Sequence, residues 1–306
     1  MRHLAPFMLV FISGVVAVIA YLQALNYPFL DDDTVYITNN TKLAGLHLTE
    51  LWRLFIEPHN SYEFLPLRDL SYWFDITLFG FNPPAFRIHN ILLYLLCLPL
   101  VYGVTLNLWR YFRPADASSA PWAAAAVTVL FTVHSTHVEP VVYISGRKDL
   151  LYGMFSLLAL WFAVNAKREL RFSSLYAVAA LMALLAAMLS KAVAVAVAPV
   201  IALLWIIFWR DIPAPERRRA ILLWPLASLT LAACVAMIFT VNSTVRTAPY
   251  FGIEVVTRAL AALGWLARLA VSPEGRHSLY PVFEDAYLPV MVALGVAVLA
   301  AAIWGW

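Results

Sequence analysis

Two histidines, two carboxylates and two basic side chains fall between His134 and Asp149 of a chain that is 63% hydrophobic. The run reads His134-Ser135-Thr136-His137-Val138-Glu139-Pro140, then Ser145-Gly146-Arg147-Lys148-Asp149. Ionisable groups at the edge of a bilayer are costly to place and tend to mark a site. A second cluster, Asp31-Asp32-Asp33, follows the first apolar segment. Three adjacent carboxylates repel one another, which makes one of them a candidate for a raised pKa or for a bound cation. One could act as a general base on an attacking hydroxyl. The same triplet also reads as a solvated loop closing the first span.

His134 and His137 are three residues apart and would share a helix face if the third span reaches them. With Glu139 they could ligate a metal or contact a lipid phosphate, although the spacing is not a strong zinc signature. Pro140 is expected to stop that helix. Arg147 and Lys148, after Gly146, suit a phosphate or pyrophosphate headgroup and could stabilise a departing lipid phosphate. They also read as a snorkelling pair, with Asp149 neutralising one of them. Lys191, in a Ser-Lys turn between two apolar runs, is either a hairpin tip or a further phosphate contact.

The elements that must hold these groups are transmembrane helices. Charged residues make up 13% of the chain, and the mean hydropathy is +0.78. Soluble domains carry about 25% charged residues. Eight apolar segments of spanning length are expected, at roughly 5–26, 88–109, 121–138, 149–165, 174–190, 192–209, 220–241 and 286–306. The fold class is therefore an all-α integral membrane protein, a multi-pass bundle forming a single domain over residues 1–306. Loops 27–87 and 242–285 are long. The first holds a predicted interfacial helix at 46–55 with Thr49 as its cap, followed by a crowd of aromatics.

Charge sets the orientation. With the N-terminus cytoplasmic, the inner segments hold ten basic residues against four acidic ones, while the outer side holds fourteen acids against eleven basic residues. Loop 27–87, loop 139–148, the Lys191 turn and loop 242–285 then share the external face, periplasmic or lumenal. The basic residues are spread over loops, so nucleic acid is not an expected partner. Cys97 and Cys234 lie in apolar stretches and read as small buried hydrophobes. Glycine-rich phosphate loops, a hydrolase serine elbow and CxxC pairs are absent from the sequence. The near absence of ionisable residues within the spans disfavours proton-coupled transport and ion conduction.

Several collinear motifs resemble the O-mannosyltransferase-like proteins that join transmembrane helices to tetratricopeptide repeats, within the GT-C superfamily. They are Phe29-Leu30-Asp31-Asp32-Asp33 with Ile37-Thr38-Asn39-Asn40, Leu65-Pro66-Leu67, and Leu78-Phe79-Gly80-Phe81-Asn82-Pro83. His89-Asn90-Ile91-Leu92-Leu93, the His134 to Leu151 stretch, Leu189-Ser190-Lys191 and Ser272-Pro273 to Tyr280-Pro281 continue the match. The resemblance covers about residues 26–285 and implies a GT-C-like bundle. It implies inverting transfer of a sugar, typically mannose, from a polyprenyl-phosphate donor to a Ser or Thr hydroxyl of a protein acceptor.

By the same resemblance Asp32 and Asp33 are the catalytic carboxylates. Arg147, Lys148 and Lys191 would bind the donor phosphate, and His89, His134, His137, Glu139 and Asp149 would shape the site. Asp31, Asp32 and Asp33 would be the ligands if a divalent Mg or Mn ion takes part.

The sequence departs from the family pattern at Leu65 (Arg in the family), Arg87 and Tyr94 (His), Ser135 (Pro) and Ala192 (acidic). It ends at Trp306, where the family continues into further helices and repeats, so a short form without the repeats, or a fragment, is expected. The departures support an alternative expectation, a catalytically degenerate accessory or structural subunit of a membrane complex.

Overall fold

The computed structural model describes residues 4–57, 59, 63–168, 171, 172, 174–209, 211, 212 and 217, and scattered positions from 257 to 297. The chain divides into two compact units, Met1–Val245 and Arg246–Trp306. The expected spans at 220–241 and, for the most part, 286–306 lie outside the described residues, as does nearly all of the loop 242–285.

In the first unit the described residues are almost entirely helical. Helix α1 (Leu4–Tyr21) tightens into a 3-10 turn, Leu22–Asn26. A π-turn, Thr34–Thr38, and the short α2 (Thr41–Ala44) follow. A 3-10 helix runs over Leu48–Phe55, then α3 (Pro66–Phe79), α4 (Pro83–Phe112), α5 (Ala120–Val133) and α6 (Val138–Val142). The set closes with α7 (Arg147–Asn165), α8 (Ser174–Ser190) and α9 (Val197–Trp209). Between α7 and α8 a two-residue ribbon pairs Lys167–Arg168 with Arg171–Phe172.

Among the described residues, three segments are long and apolar enough to cross a membrane: Leu4–Asn26, Pro83–Phe112 and Ala192–Trp209. Helices Ala120–Val133 and Leu175–Ser190 are apolar but shorter. Large side chains such as Phe7, Phe11, Ile19 and Leu130 face outward, as they do when lipid is the solvent. The chain is an α-helical membrane protein.

Packing follows residue size. Ala159 and Ala163 of α7 lie against Ala180, Ala183 and Ala187 of α8, all buried. Small residues let two backbones approach where water supplies no drive for association. A second cluster joins Ala17 and Tyr21 of α1 to Ile91 and Tyr94 of α4, and to Val141, Leu150 and Leu151. A third makes the first loop a folded layer rather than a connector: Tyr36, Ile37, Leu43, Leu54, Tyr72, Phe86 and Ile144 are all buried in it.

Three local expectations are corrected. Helix α5 ends at Val133, so His134 and His137 occupy no common helix face; His134 caps the 3-10 turn Ser135–His137, of which His137 is the last residue. Pro140 does not stop a helix but sits in the first turn of α6, where its missing N–H would have had no intrahelical partner. The first-loop helix is entered at His47, whose N–H donates to Glu50 Oε2 at 3.2 Å, and not at Thr49. Helix α3, which begins on Pro66 and carries Arg68, Asp69 and Asp75, was not anticipated.

Candidate functional site

The aspartate triplet and the His134–Asp149 segment meet in space. Asp31 holds φ at 33°, a left-handed conformation that a short polar side chain tolerates. The turn it makes brings Asp33 back, so that its Oδ2 accepts from Leu30 N–H at 3.0 Å. Asp33 Oδ1 accepts from the Ser145 N–H at 2.8 Å and from its hydroxyl at 2.6 Å. Asp33 is wholly buried. Burial raises its pKa, and the bonds from Ser145 and Leu30 pull the other way. Its carboxylate staples two segments 112 residues apart. Asp32 differs: its N–H donates to Tyr143 Oη at 3.0 Å, and the residue is exposed.

Arg87 clasps the start of the same loop. Its guanidinium donates to the carbonyls of Tyr27, Pro28 (2.6 Å) and Val142 (3.1 Å). These backbone acceptors lie outside any helix ladder, and a buried carbonyl needs such a donor. The substitution of the family's His by Arg87 thus has a structural use here.

Arg147, expected to bind a donor phosphate, is instead wholly buried. Its Nε donates to Asn90 Oδ1 at 2.7 Å, and its terminal nitrogens reach Ser71 O and Phe86 O. It also pairs with the buried Asp75 at 2.5 Å and lies 4.9 Å from the centre of the Tyr72 ring. Asp75 Oδ1 in turn meets His89 Nδ1 at 2.8 Å. Asn90 also donates toward the carbonyls of Pro140, Val141 and Tyr143. Arg147, Asp75 and Asn90 are therefore the internal frame of the loop that carries Tyr143 and Ser145.

Lys148 points elsewhere. Its Nζ contacts both oxygens of Glu63 at 2.8 and 2.9 Å, and Arg68 reaches the same carboxylate at 2.5 Å. Burial opposes ionisation of Glu63, but Lys148 and Arg68 together hold its pKa below the usual range. Tyr36 stands between: its ring lies 4.3 Å from the Arg68 guanidinium and 5.6 Å from Lys148 Nζ. Burial first, then the Glu63 charge, pushes the Tyr36 phenol up to about 12, and Asp32 adds to the shift. Asp32, Tyr36, Glu63 and Lys148 thus form one electrostatic neighbourhood. Lys191 pairs with Asp149 at 2.5 Å, each one-third exposed.

His134 Nδ1 sits 2.7 Å from Thr136 Oγ1 and accepts from its N–H, a cap on the 3-10 turn. His137 packs 4.2 Å from the Phe131 ring and 5.5 Å from Tyr94. Burial, and then the neighbouring His134, lower its pKa to about 4. A depressed histidine pKa favours the fold above pH 6.5, and that contribution is lost as pH falls toward about 4. Thermal stability should fall across this window, and His137→Gln should flatten the fall. Glu139 is exposed and makes no side-chain contact with either histidine among the described hydrogen bonds.

A groove of about 460 Å³ runs beside this turn, lined by Val16, Ala17, Ala20, Tyr27, His134 and Val142 among others. It reaches to one residue from Tyr143, the partner of Asp32.

The donor set does not fit a metal. Both Asp33 oxygens are taken by N–H and O–H donors, and among the described residues no three His, Cys, Asp or Glu side chains converge as ligands. Gly146 is required by a close approach, since a Cβ there would lie 2.7 Å from Pro140 Cα. Gly146→Ala is expected to destabilise the protein by about 1–3 kcal/mol, the usual cost of overpacking, measurable by thermal unfolding in detergent.

The sequence assigns no role to Glu63, Arg68, Asp75 or Tyr143, and Asn90 and Ser145 enter it only as members of polar motifs. Asp75 and Asn90 carried a usable signal, as polar residues inside otherwise apolar helical stretches.

Comparison with known proteins gives partial matches. The chain is 30% identical to protein O-mannosyl-transferase TMTC4 of Homo sapiens over 178 residues, covering 54% of this chain and 24% of that protein. It is 31% identical to the Mus musculus TMTC4 over 51% of this chain and 23% of the relative. It is 28% identical to protein O-mannosyl-transferase F38B6.6 of Caenorhabditis elegans over 47% and 21%. The match thus spans less than a quarter of the length of these relatives. No family model matches the chain. No solved structure matches it. The resemblance to protein O-mannosyl-transferases stands on these relatives.

Proposed function

We propose that the chain moves a sugar, mannose if it follows its relatives' names, from a polyprenyl-phosphate donor to a Ser or Thr hydroxyl of a protein. One observation carries this reading: of two adjacent aspartates, Asp33 is buried and bonded while Asp32 is exposed, held at its backbone by Tyr143 and close enough, like Glu63, to raise the Tyr36 phenol. A locked carboxylate positions the loop, and its free neighbour is left for chemistry.

In the proposed reaction Asp32 accepts the proton of the acceptor hydroxyl. The oxygen attacks the anomeric carbon from the face opposite the phosphate, the carbon–oxygen bond to phosphate breaks, and the polyprenyl phosphate departs with the bonding electrons. Lys148 lies nearby as a cation for the leaving phosphate. The apolar groove beside His134 is a place for the first isoprene units. The balance of loop charges puts this face outside, periplasmic or lumenal, with the N-terminus cytoplasmic.

The test is transfer of labelled mannose from a polyprenyl-phosphate donor to a Ser/Thr-containing peptide, using the purified chain in vesicles. Glycosylated peptide is the expected product. A folded chain that yields none would favour the second reading, a non-catalytic scaffold in a membrane complex. The internal use of Arg147 favours that alternative, because it removes one of the cations the family resemblance assigns to the donor.

A further inference from the structure

Glu63 sits where an incoming anion would have to sit. Its carboxylate is shared by Lys148 Nζ (2.8 and 2.9 Å) and Arg68 (2.5 Å), and it also bonds the Tyr36 hydroxyl. Two cations and a phenol around one carboxylate is a donor set that also suits a phosphate, whose tetrahedral oxygens present pairs of acceptors to the same donors.

The surroundings of Arg68 show which of its carboxylates can leave. Arg68 is wholly buried, and one of its terminal nitrogens lacks an aligned hydrogen-bond acceptor although it lies 2.9 Å from Asp69. Arg68 also carries two carboxylate neighbours, Asp69 and Glu63, of which Asp69 is buried and bonded to Nε at 2.9 Å. Asp69 alone can neutralise Arg68 in the interior. Glu63, one-third exposed, is the neighbour that can leave.

We infer that Lys148, Arg68 and Tyr36 form a phosphate-binding site and that the carboxylate of Glu63 is its resident competitor, displaced when phosphate enters. The inference rests on the transferase reading only for the carrier of the phosphate, a polyprenyl chain. The exchange is one anion for another: the carboxylate of Glu63 swings to water and a phosphate takes its place between the same cations, singly charged in the phosphodiester donor and more highly charged in the polyprenyl phosphate that departs. Such a device keeps the half-buried Lys148 neutralised when no donor is bound, which an empty site would not do. It would also set donor affinity, since phosphate must outcompete a tethered anion.

The experiment is equilibrium binding of farnesyl phosphate to the purified full chain in detergent, with farnesol and inorganic phosphate as companions. Glu63→Gln removes the competing charge and keeps the shape, so affinity should rise about tenfold or more, the scale of a like charge removed at short range. Lys148→Gln should lower it at least as much. Farnesol should respond to neither change. Inorganic phosphate that displaces farnesyl phosphate would point to free phosphate as a ligand of the site, and failure to displace it would point to the lipid headgroup.

Unchanged or weaker binding by a folded Glu63→Gln chain would overturn the inference. So would binding that ignores Lys148→Gln, which decides the matter alone if Glu63→Gln does not fold. Binding is read without turnover, so failure here leaves the transfer reading standing, and absence of transfer leaves this site testable.

Discussion

Asp32→Asn should reduce sugar transfer by about 10²–10⁴-fold while the protein remains folded and inserted, the range that a positioned acid or base contributes. The side chain is exposed, and only its backbone N–H is used, in the bond to Tyr143 Oη. Replacing a carboxylate oxygen by an amide therefore breaks no internal contact. Donor binding should hardly change, because the phosphate contacts lie at Lys148 and its neighbours, so the loss should fall on turnover. Asp33→Asn should behave differently. It places an N–H₂ group against donors from Ser145 or Leu30 and strands at least one of them in a buried site, at about 1–3 kcal/mol of stability. Measuring turnover and unfolding for both variants separates a base from a staple. An Asp32→Asn chain with undiminished transfer would remove Asp32 from the mechanism.

Arg147→Ala is expected to be among the most damaging substitutions to the fold. It leaves Asp75 as a buried carboxylate with only His89 beside it, and it releases Asn90 Oδ1 and the Phe86 carbonyl. Breaking one side of a buried pair costs about 3–5 kcal/mol. Arg147→Lys should recover only part of this, because an ammonium cannot reproduce the fork that reaches Asn90, Asp75 and Phe86 together. Pairing Arg147→Met with Asp75→Leu should restore more than Arg147→Lys does, since two apolar partners leave no orphan charge. Unfolding midpoints of the single and double variants check this. A stable Arg147→Ala chain that only loses phosphate-lipid binding would show that the arginine faces a ligand.

The contrast between Asp32 and Arg147 marks how far the sequence could be read. Helix positions followed from apolar length: the first span was placed at 5–26, and the helical segment runs Leu4–Asn26. The Ser190–Lys191 break in the long apolar run coincides with the end of α8. That Asp33 meets Ser145 across 112 residues concerns packing and not spacing.

Arg147 misled for a physical reason. A cation at a membrane edge looks like a ligand-binding group until its counter-charge is known, and that counter-charge, Asp75, lies on α3, a helix hidden under a run of aromatics. His134 and His137 misled because helical spacing was extended past Val133, where the backbone turns extended at His134. The Glu63–Lys148–Arg68 cluster had no local signature at all. Glu63 and Arg68 are five residues apart, but Lys148 lies 85 residues from Glu63 and joins them only when the first loop folds into a layer of its own.

The central claim is that sugar transfer occurs at Asp32 with the donor phosphate beside Lys148. The most direct test is a structure of the full chain with a non-transferable polyprenyl phosphonate mannose. The account predicts the phosphonate against Lys148 in place of Glu63, the isoprenoid in the groove beside His134, and the anomeric carbon on the side facing Asp32. A sugar bound out of reach of Asp32, with the Glu63–Lys148 contact intact, would contradict it.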